Sequence, residues 1–372
     1  MIYLDYNATT PTDERVLAEM LPYFSQKFGN AASNSHSLGW TASEAVKQAR
    51  EQVAAAIGAT PSEIIFTSGA TEAINLALKG MAESYAAVGN HIITCQTEHK
   101  AVLDTCAYLE EKGLNITYLP VNENGLIDLQ ELKNAFTPQT FLVCIMYANN
   151  ETGVLQPIAE IAEITHEKGA IFMSDCVQAV GKIPMNVQDL GIDVMPLSAH
   201  KCYGPKGVGA LYIRRRSPRV SMTALLHGGG HEKGLRSGTL NVPGIVGLGK
   251  AIEIGVNDFS QAVFLQKMRD NLEEKLLAFP QVLRNGDKDL RLPHVSNLSF
   301  GSHKADTFIM KMPQIALSTG SACTSALISP SHVLAAMGFS DERCYASIRF
   351  SLGKYTTQAE IDKVVESISA YL

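Results

Sequence analysis

The sequence is short of several things. No apolar run approaches the ~20 residues that a membrane-spanning helix requires. The start, Met1-Ile2-Tyr3-Leu4-Asp5-Tyr6, has no basic stretch followed by a long apolar one, so it does not read as a secretory signal. No basic tract interleaved with aromatics is present. Lys and Arg total 31 against 37 for Asp and Glu, a net charge of -6, so a nucleic-acid or anionic-membrane partner is not expected. The densest basic run, Arg214-Arg215-Arg216, is expected on a solvated surface turn. Seven cysteines stand at 95, 106, 144, 176, 202, 323 and 344, and none forms a C-x-x-C pair. That spacing speaks against a zinc site or a disulfide framework and fits reduced thiols in a cytoplasmic enzyme. Repeats and low-complexity segments are lacking as well.

What is present is an alternation of helical and strand patterns from about residue 40 to 215. Ser43 to Ile57 has apolar residues at helical spacing, stopped by Gly58. Glu63–Thr67, His91–Cys95, Phe141–Met146, Ala170–Ser174, Val194–Ser198 and Ala210–Ile213 read as strands. Thr71–Lys79 and Pro157–Lys168 read as helices between them. Apolar strands alternating with amphipathic helices imply an α/β fold whose mostly parallel sheet is covered on both faces. In such sheets ligands bind beyond the carboxyl ends of the strands, where Ser68, Asn150, Asp175 and Lys201 all fall. After about residue 250 the pattern changes to a helix over Gln261–Leu277, shorter strands such as Asn297–Phe300, and a last helix near Thr357–Tyr371. The chain is long enough for two domains. We place a large domain over 15–250 and a smaller α+β domain over 1–14 and 251–372.

Lys201 ends a core strand beside His200. Burial disfavours an ammonium and lowers its pKa, making a usable amine nucleophile of the kind Schiff-base chemistry needs. The alternative is a lysine that merely turns outward. In Thr67-Ser68-Gly69-Ala70-Thr71-Glu72 a strand ends, small residues turn and a helix begins. Its unpaired first N–H groups suit a phosphate, and the segment is neither a P-loop nor G-x-G-x-x-G. Taken alone, the segment reads better as an ordinary joint capped by Thr71. Asp175 can pair with a protonated pyridine nitrogen or cap the next helix. Gln178, one turn on, can donate to a ring oxygen. His99 can stack on a flat ring or start a helix. The glycine-rich stretch from His227 to Thr239 suits phosphate contacts better than a metal, since three glycines separate His227 from His231. Cys323 alone among the cysteines sits among small polar residues, as a solvent-reached thiol does. Arg349, in an apolar run, needs an anion; a substrate carboxylate or a structural ion pair would serve.

Together these residues resemble a pyridoxal-phosphate enzyme of the class V aminotransferase superfamily, and more narrowly a cysteine desulfurase. The resemblance runs nearly end to end, through Tyr3–Thr10, Thr67–Glu72, Thr97–Lys100, Ala148–Glu151, His200-Lys201 with Tyr203–Gly207, Arg236–Thr239 and Gly320–Ser325. It implies the fold type I architecture, a seven-stranded, mostly parallel sheet flanked by helices, with the catalytic cysteine on the smaller domain. The cofactor it implies is pyridoxal 5'-phosphate, carried by Lys201, with Asp175 on the pyridine nitrogen and His99 on the ring. Gln178 and Asn150 would bond the ring hydroxyl. Ala70, Thr71, Ser198 and His200 would hold the phosphate, and Thr239 would reach the phosphate of a second subunit, implying a homodimer. Asn30, His36, Asn150 and Arg349 would line the substrate side. The implied reaction takes L-cysteine to alanine, with sulfur passing to Cys323 as a persulfide for an acceptor protein such as an iron–sulfur scaffold. A selenocysteine lyase, a transaminase and a non-catalytic relative are the alternatives. Cys176 replaces a common alanine, and the stretch Gly29–Ser33 lacks the usual proline. The chain stops at Leu372, where housekeeping members carry a longer tail that docks the scaffold. A shorter, specialised enzyme is the expectation from that difference.

Overall fold

A computed structural model describes residues 1–257, 259–319 and 330–372. A seven-stranded sheet runs in the order Ile64–Thr67, Gly209–Ile213, Val194–Ser198, Ile171–Met173, Thr140–Cys144, His91–Cys95, Asn115–Leu119. Gly209–Ile213 is antiparallel to both its neighbours, and every other pairing is parallel. The inner strands are mostly apolar because both faces are covered, while the edge strand Asn115–Leu119 is only partly buried. Ile64, Phe66, Ile93 and Val143 enter one core, while Ile65, Ile92, Leu142 and Cys144 enter the other. Alternate residues of a strand point to opposite faces, so a run without polar residues must be buried twice.

A third core joins Leu4 to the helix Ser260–Leu277, to Gln358–Ser369, and to an antiparallel sheet ordered Ser347–Ser351, Val295–Phe300, Val282–Arg284. The N-terminal strand Ile2–Tyr3 pairs with Ile315–Ala316, which ties the chain's start to this unit.

Most elements lie where periodicity placed them, some with shorter ends, as Ile171–Met173, and some longer, as Ser37–Ala56 and Ala70–Ser84. The strand ends at Cys144, and beyond it Ile145 and Tyr147 still donate their N–H groups to the carbonyls of Met173 and Asp175 beside them. Arg214 departs from expectation. It is buried and its Nη1 lies 3.0 Å from Asp193 Oδ1, so the basic run begins inside the protein and only Arg216 is exposed. Asp193 is a buried carboxylate that needs that cation. The six described cysteines are all buried and unpaired. Among the described residues no helix is long and apolar enough to cross a membrane, and no cluster of metal-ligating side chains occurs.

Candidate active site

The carboxyl ends of five parallel strands open onto one cleft of about 960 Å³. Each strand delivers a side chain to it just past its last residue.

Lys201 closes the short turn Ala199–Lys201 that follows Val194–Ser198. Its Nζ donates to the carbonyls of Asn7 (2.6 Å) and Ala8 (2.8 Å) and makes no ion pair among the described residues. Burial, together with the Arg349 guanidinium, brings its pKa from 10.5 down to about 8. A substantial neutral fraction near neutral pH makes this amine a nucleophile and a proton carrier.

Asp175 follows Ile171–Met173 and is buried, with its Oδ1 accepting from the Val177 N–H at 3.0 Å. Burial pushes its carboxyl up, and no described side chain forms an ion pair with it. A carboxyl so placed is ionised only when a cation faces it. His99 caps the helix Lys100–Glu111 through Nδ1, which accepts from the Ala101 N–H at 3.1 Å. Its ring stays accessible from the cleft, yet the surrounding protein holds its pKa below the ordinary value. The neutral ring can stack on a flat ligand.

The turn Ser68-Gly69 leads into the helix Ala70–Ser84, whose first internal bond runs from the Ala73 N–H to the Gly69 carbonyl. The N–H groups of Ala70, Thr71 and Glu72 precede that bond, at the positive end of the helix dipole. Gly69 sits at φ 156°, which an L side chain rarely adopts, and open space lies where its Cβ would be. At Gly209 a Cβ would meet the Gly69 Cα at 2.7 Å, so two glycines set the turn directly over the sheet. Ser198 and His200 line the cleft with this turn, and His200 is neutral, its pKa lowered to about 4 by burial and by Lys201. This cradle suits a phosphate.

Gln178 is buried, donating through Nε2 to the Asn7 carbonyl at 3.0 Å and accepting from Lys182 at 2.8 Å. Arg349 is buried in the cleft wall; its Nη2 lies 2.6 Å from Asp5 Oδ1 and its Nη1 donates to the Asn150 carbonyl at 2.8 Å. Its Nε has no partner. The Arg349 ion pair is therefore present, and the residue still lines the cleft.

The structure does not bring every expected residue here. Thr239, Asn30 and His36 are exposed and do not line the cleft of their own chain. His36 instead caps the helix Ser37–Ala56 through Nδ1. Cys323 lies outside the described residues, while Ser318 and Thr319 before it line the cleft. Local pattern did not mark Asn7 and Ala8 as the acceptors for Lys201, nor Asp5 as the partner of Arg349. The available signal was a polar run, Asp5 to Thr10, directly after an apolar start.

An amine, a carboxyl awaiting a cation, an open imidazole and an anion cradle share one cleft, and pyridoxal phosphate has a matching feature for each. Comparison with known proteins agrees. The family model "Aminotransferase class-V" matches residues 2–364. "Cysteine desulfurase IscS" of Anaeromyxobacter sp. (strain Fw109-5) is 52% identical over 369 residues, covering 99% of this chain and 91% of that one. Among solved structures, one titled "NIFS-LIKE PROTEIN" has a TM-score of 0.92 at 41% identity and covers 100% of both chains. Another, "SspA in complex with cysteine", has a TM-score of 0.83 at 39% identity, covering 96% of this chain and 100% of that one. With a sheet order that brings Lys201, Asp175, His99 and the Gly69 turn together, and relatives alike over nearly the whole length, the chain belongs to the class-V aminotransferase family.

Proposed function

We propose that this protein is a pyridoxal-phosphate-dependent cysteine desulfurase that converts L-cysteine to L-alanine and passes the sulfur to Cys323 as a persulfide. The observation that carries the reading is Lys201, a lysine of depressed pKa with carbonyl partners only, set between Asp175, His99 and the Gly69 cradle. Support for the substrate comes from a desulfurase 52% identical to this chain and from a similar protein solved with cysteine.

Bound pyridoxal phosphate supplies an electron sink for the pair left on the substrate's α-carbon. Until substrate arrives Lys201 would hold it, and Asp175 would keep its ring nitrogen protonated. Ala70, Thr71, Ser198 and His200 would hold the phosphate, Gln178 and Asn150 would bond the ring hydroxyl, and His99 would stack on the ring. Arg349 binds the substrate carboxylate beside Asn150. Lys201 Nζ, free once the substrate amine has taken its place, would take the α-proton and return it. The Cys323 thiolate attacks the substrate sulfur; the carbon–sulfur bond breaks, a sulfur–sulfur bond forms on Cys323, and the carbon is protonated to alanine. Cys323 then holds sulfur for an acceptor, such as an iron–sulfur scaffold or a thio-cofactor pathway in the cytoplasm.

The reading includes a homodimer. Leu17, Leu21, Phe24, Phe28 and Trp40 are all well exposed within one short stretch, an apolar face that favours a partner. Asn30 and His36 lie in that stretch, and Thr239 is presented on another exposed loop. The reading assigns all three to the cleft of a second copy, in keeping with their exposure.

Adding L-cysteine to the cofactor-loaded protein tests the reading. The Cys323→Ala variant is expected to keep the cofactor's visible absorbance and its change on adding cysteine, while releasing no sulfide. Full sulfide release by that variant would remove Cys323 from its role.

A further inference from the structure

The proposed reaction gives no task to the segment from Glu232 to Arg236, yet its backbone is strained. Three residues in succession, Glu232 (φ 50°), Lys233 (φ 58°) and Gly234 (φ 83°), lie in the left-handed region, and only the last is a glycine. Other residues hold that conformation where their surroundings fix it. The Glu232 carboxylate, which is buried, supplies the fixing contacts. Its Oε1 accepts from Arg50 Nη2 at 2.7 Å, and its Oε2 accepts from Arg50 Nη1 at 2.8 Å and from the Phe66 N–H at 2.7 Å. Arg50 Nη1 also donates to the Ile64 carbonyl at 2.7 Å. Ile64–Thr67 is an edge strand of the sheet, so its outward N–H and C=O groups have no further strand to pair with. The Arg50–Glu232 pair takes that place and ties the segment to the strand that leads into the Gly69 turn.

A second tie reaches the far side of that turn. Arg236 Nε donates to Glu72 Oε1 at 2.8 Å, and its Nη2 lies 3.4 Å from Glu72 Oε2. The same Oε2 accepts from the Ser68 N–H at 2.8 Å. Glu72 stands in the first turn of the helix Ala70–Ser84, and both it and Ser68 line the cleft. The positive end of a helix favours either anion, the carboxylate or a phosphate, but the two repel each other when side by side. Arg236 supplies the counter-charge, in the one ion pair that Glu72 makes among the described residues.

We propose that Arg236 and Glu232 are positioning residues for the cofactor's phosphate. Glu232 anchors the segment to the edge strand. Arg236 holds the Glu72 carboxylate on the Ser68 N–H and cancels its charge beside the phosphate. This role rests on the Gly69 turn being the phosphate site of the proposed enzyme.

Titration of the full-length, cofactor-stripped protein with pyridoxal phosphate and with pyridoxal, which lacks the phosphate, provides the test. The wild type is expected to prefer the phosphorylated form. Arg236→Gln and Glu232→Gln are each expected to lower the affinity for pyridoxal phosphate roughly tenfold or more and to leave that for pyridoxal unchanged. Adding Glu72→Gln to Arg236→Gln is expected to restore the preference, because no charge is left to cancel. A general folding defect weakens both ligands alike and is not rescued by a second substitution. The proposal is overturned if either single variant keeps the wild-type preference or loses both ligands alike, or if Glu72→Gln brings no rescue. Should Glu232→Gln fail to fold, the partly exposed Arg236–Glu72 pair decides alone. A wild type that binds both forms equally contradicts the phosphate site itself, which tells that failure apart from a failure of Arg236.

Discussion

At the scale of single residues, function rests on groups whose surroundings are wrong for their ordinary charge state. Lys201 is buried near the Arg349 guanidinium, with backbone carbonyls as its acceptors, so its pKa falls to about 8. Only the neutral amine attacks an aldehyde. The rate at which the cofactor-free protein takes up pyridoxal phosphate is therefore expected to rise with pH through about 8 and level off above it. A profile still climbing towards the ordinary lysine value would contradict this; stopped-flow absorbance provides the measurement. Arg349 has a different signature. Hydrogen bonds to charged groups are worth ~1.5–3 kcal/mol, so Arg349→Ala is expected to raise the KM for cysteine about 10- to 100-fold. Its kcat should fall less, as steady-state alanine formation will reveal. Lys201, Asp175 and Arg349 were legible in the sequence because each is a polar residue in or beside an apolar run, and His99 because it follows the strand His91–Cys95. Asn7 and Ala8 were not, since they act through backbone carbonyls, which no side-chain pattern reports.

Elements set these residues in place. Strand after strand ends at the same edge of the sheet, and that convergence followed from the alternation of apolar strands and helices. The phosphate cradle depends on a close approach that the sequence signals only as two isolated glycines. A methyl group at Gly209 would stand 2.4 Å from the Leu197 carbonyl and 2.7 Å from Gly69 Cα. Overpacking of this kind costs ~1–3 kcal/mol. Gly209→Ala is therefore expected to weaken pyridoxal phosphate binding about tenfold or more by fluorescence titration, with the fold retained by circular dichroism. Unchanged affinity would remove the glycine pair from the cradle. The Arg214 misreading belongs to this scale too. A run of three arginines looks solvated, but its first member ends a core strand and meets the buried Asp193 across the sheet. Such pairing over twenty residues of sequence is invisible to local pattern.

The whole molecule carries what single side chains cannot. The sheet order and the N-terminal strand's return to the C-terminal unit bring Asp5, Asn7 and Arg349 against Lys201, across most of the chain's length. No short-range signal encodes that meeting. The exposed apolar stretch from Leu17 to Trp40 predicts an assembly of two copies. Sedimentation equilibrium is expected to give a dimer, and Phe24→Asp with Leu21→Asp is expected to shift it to monomer. A wild-type monomer at micromolar concentration would refute the shared site. The central claim concerns the reaction itself. The most direct measurement quantifies alanine and sulfide from L-cysteine, with the purified cofactor-loaded protein and a thiol reductant. Equal yields of the two over many turnovers are predicted; amino-group exchange with a keto acid, or no alanine at all, would contradict the account.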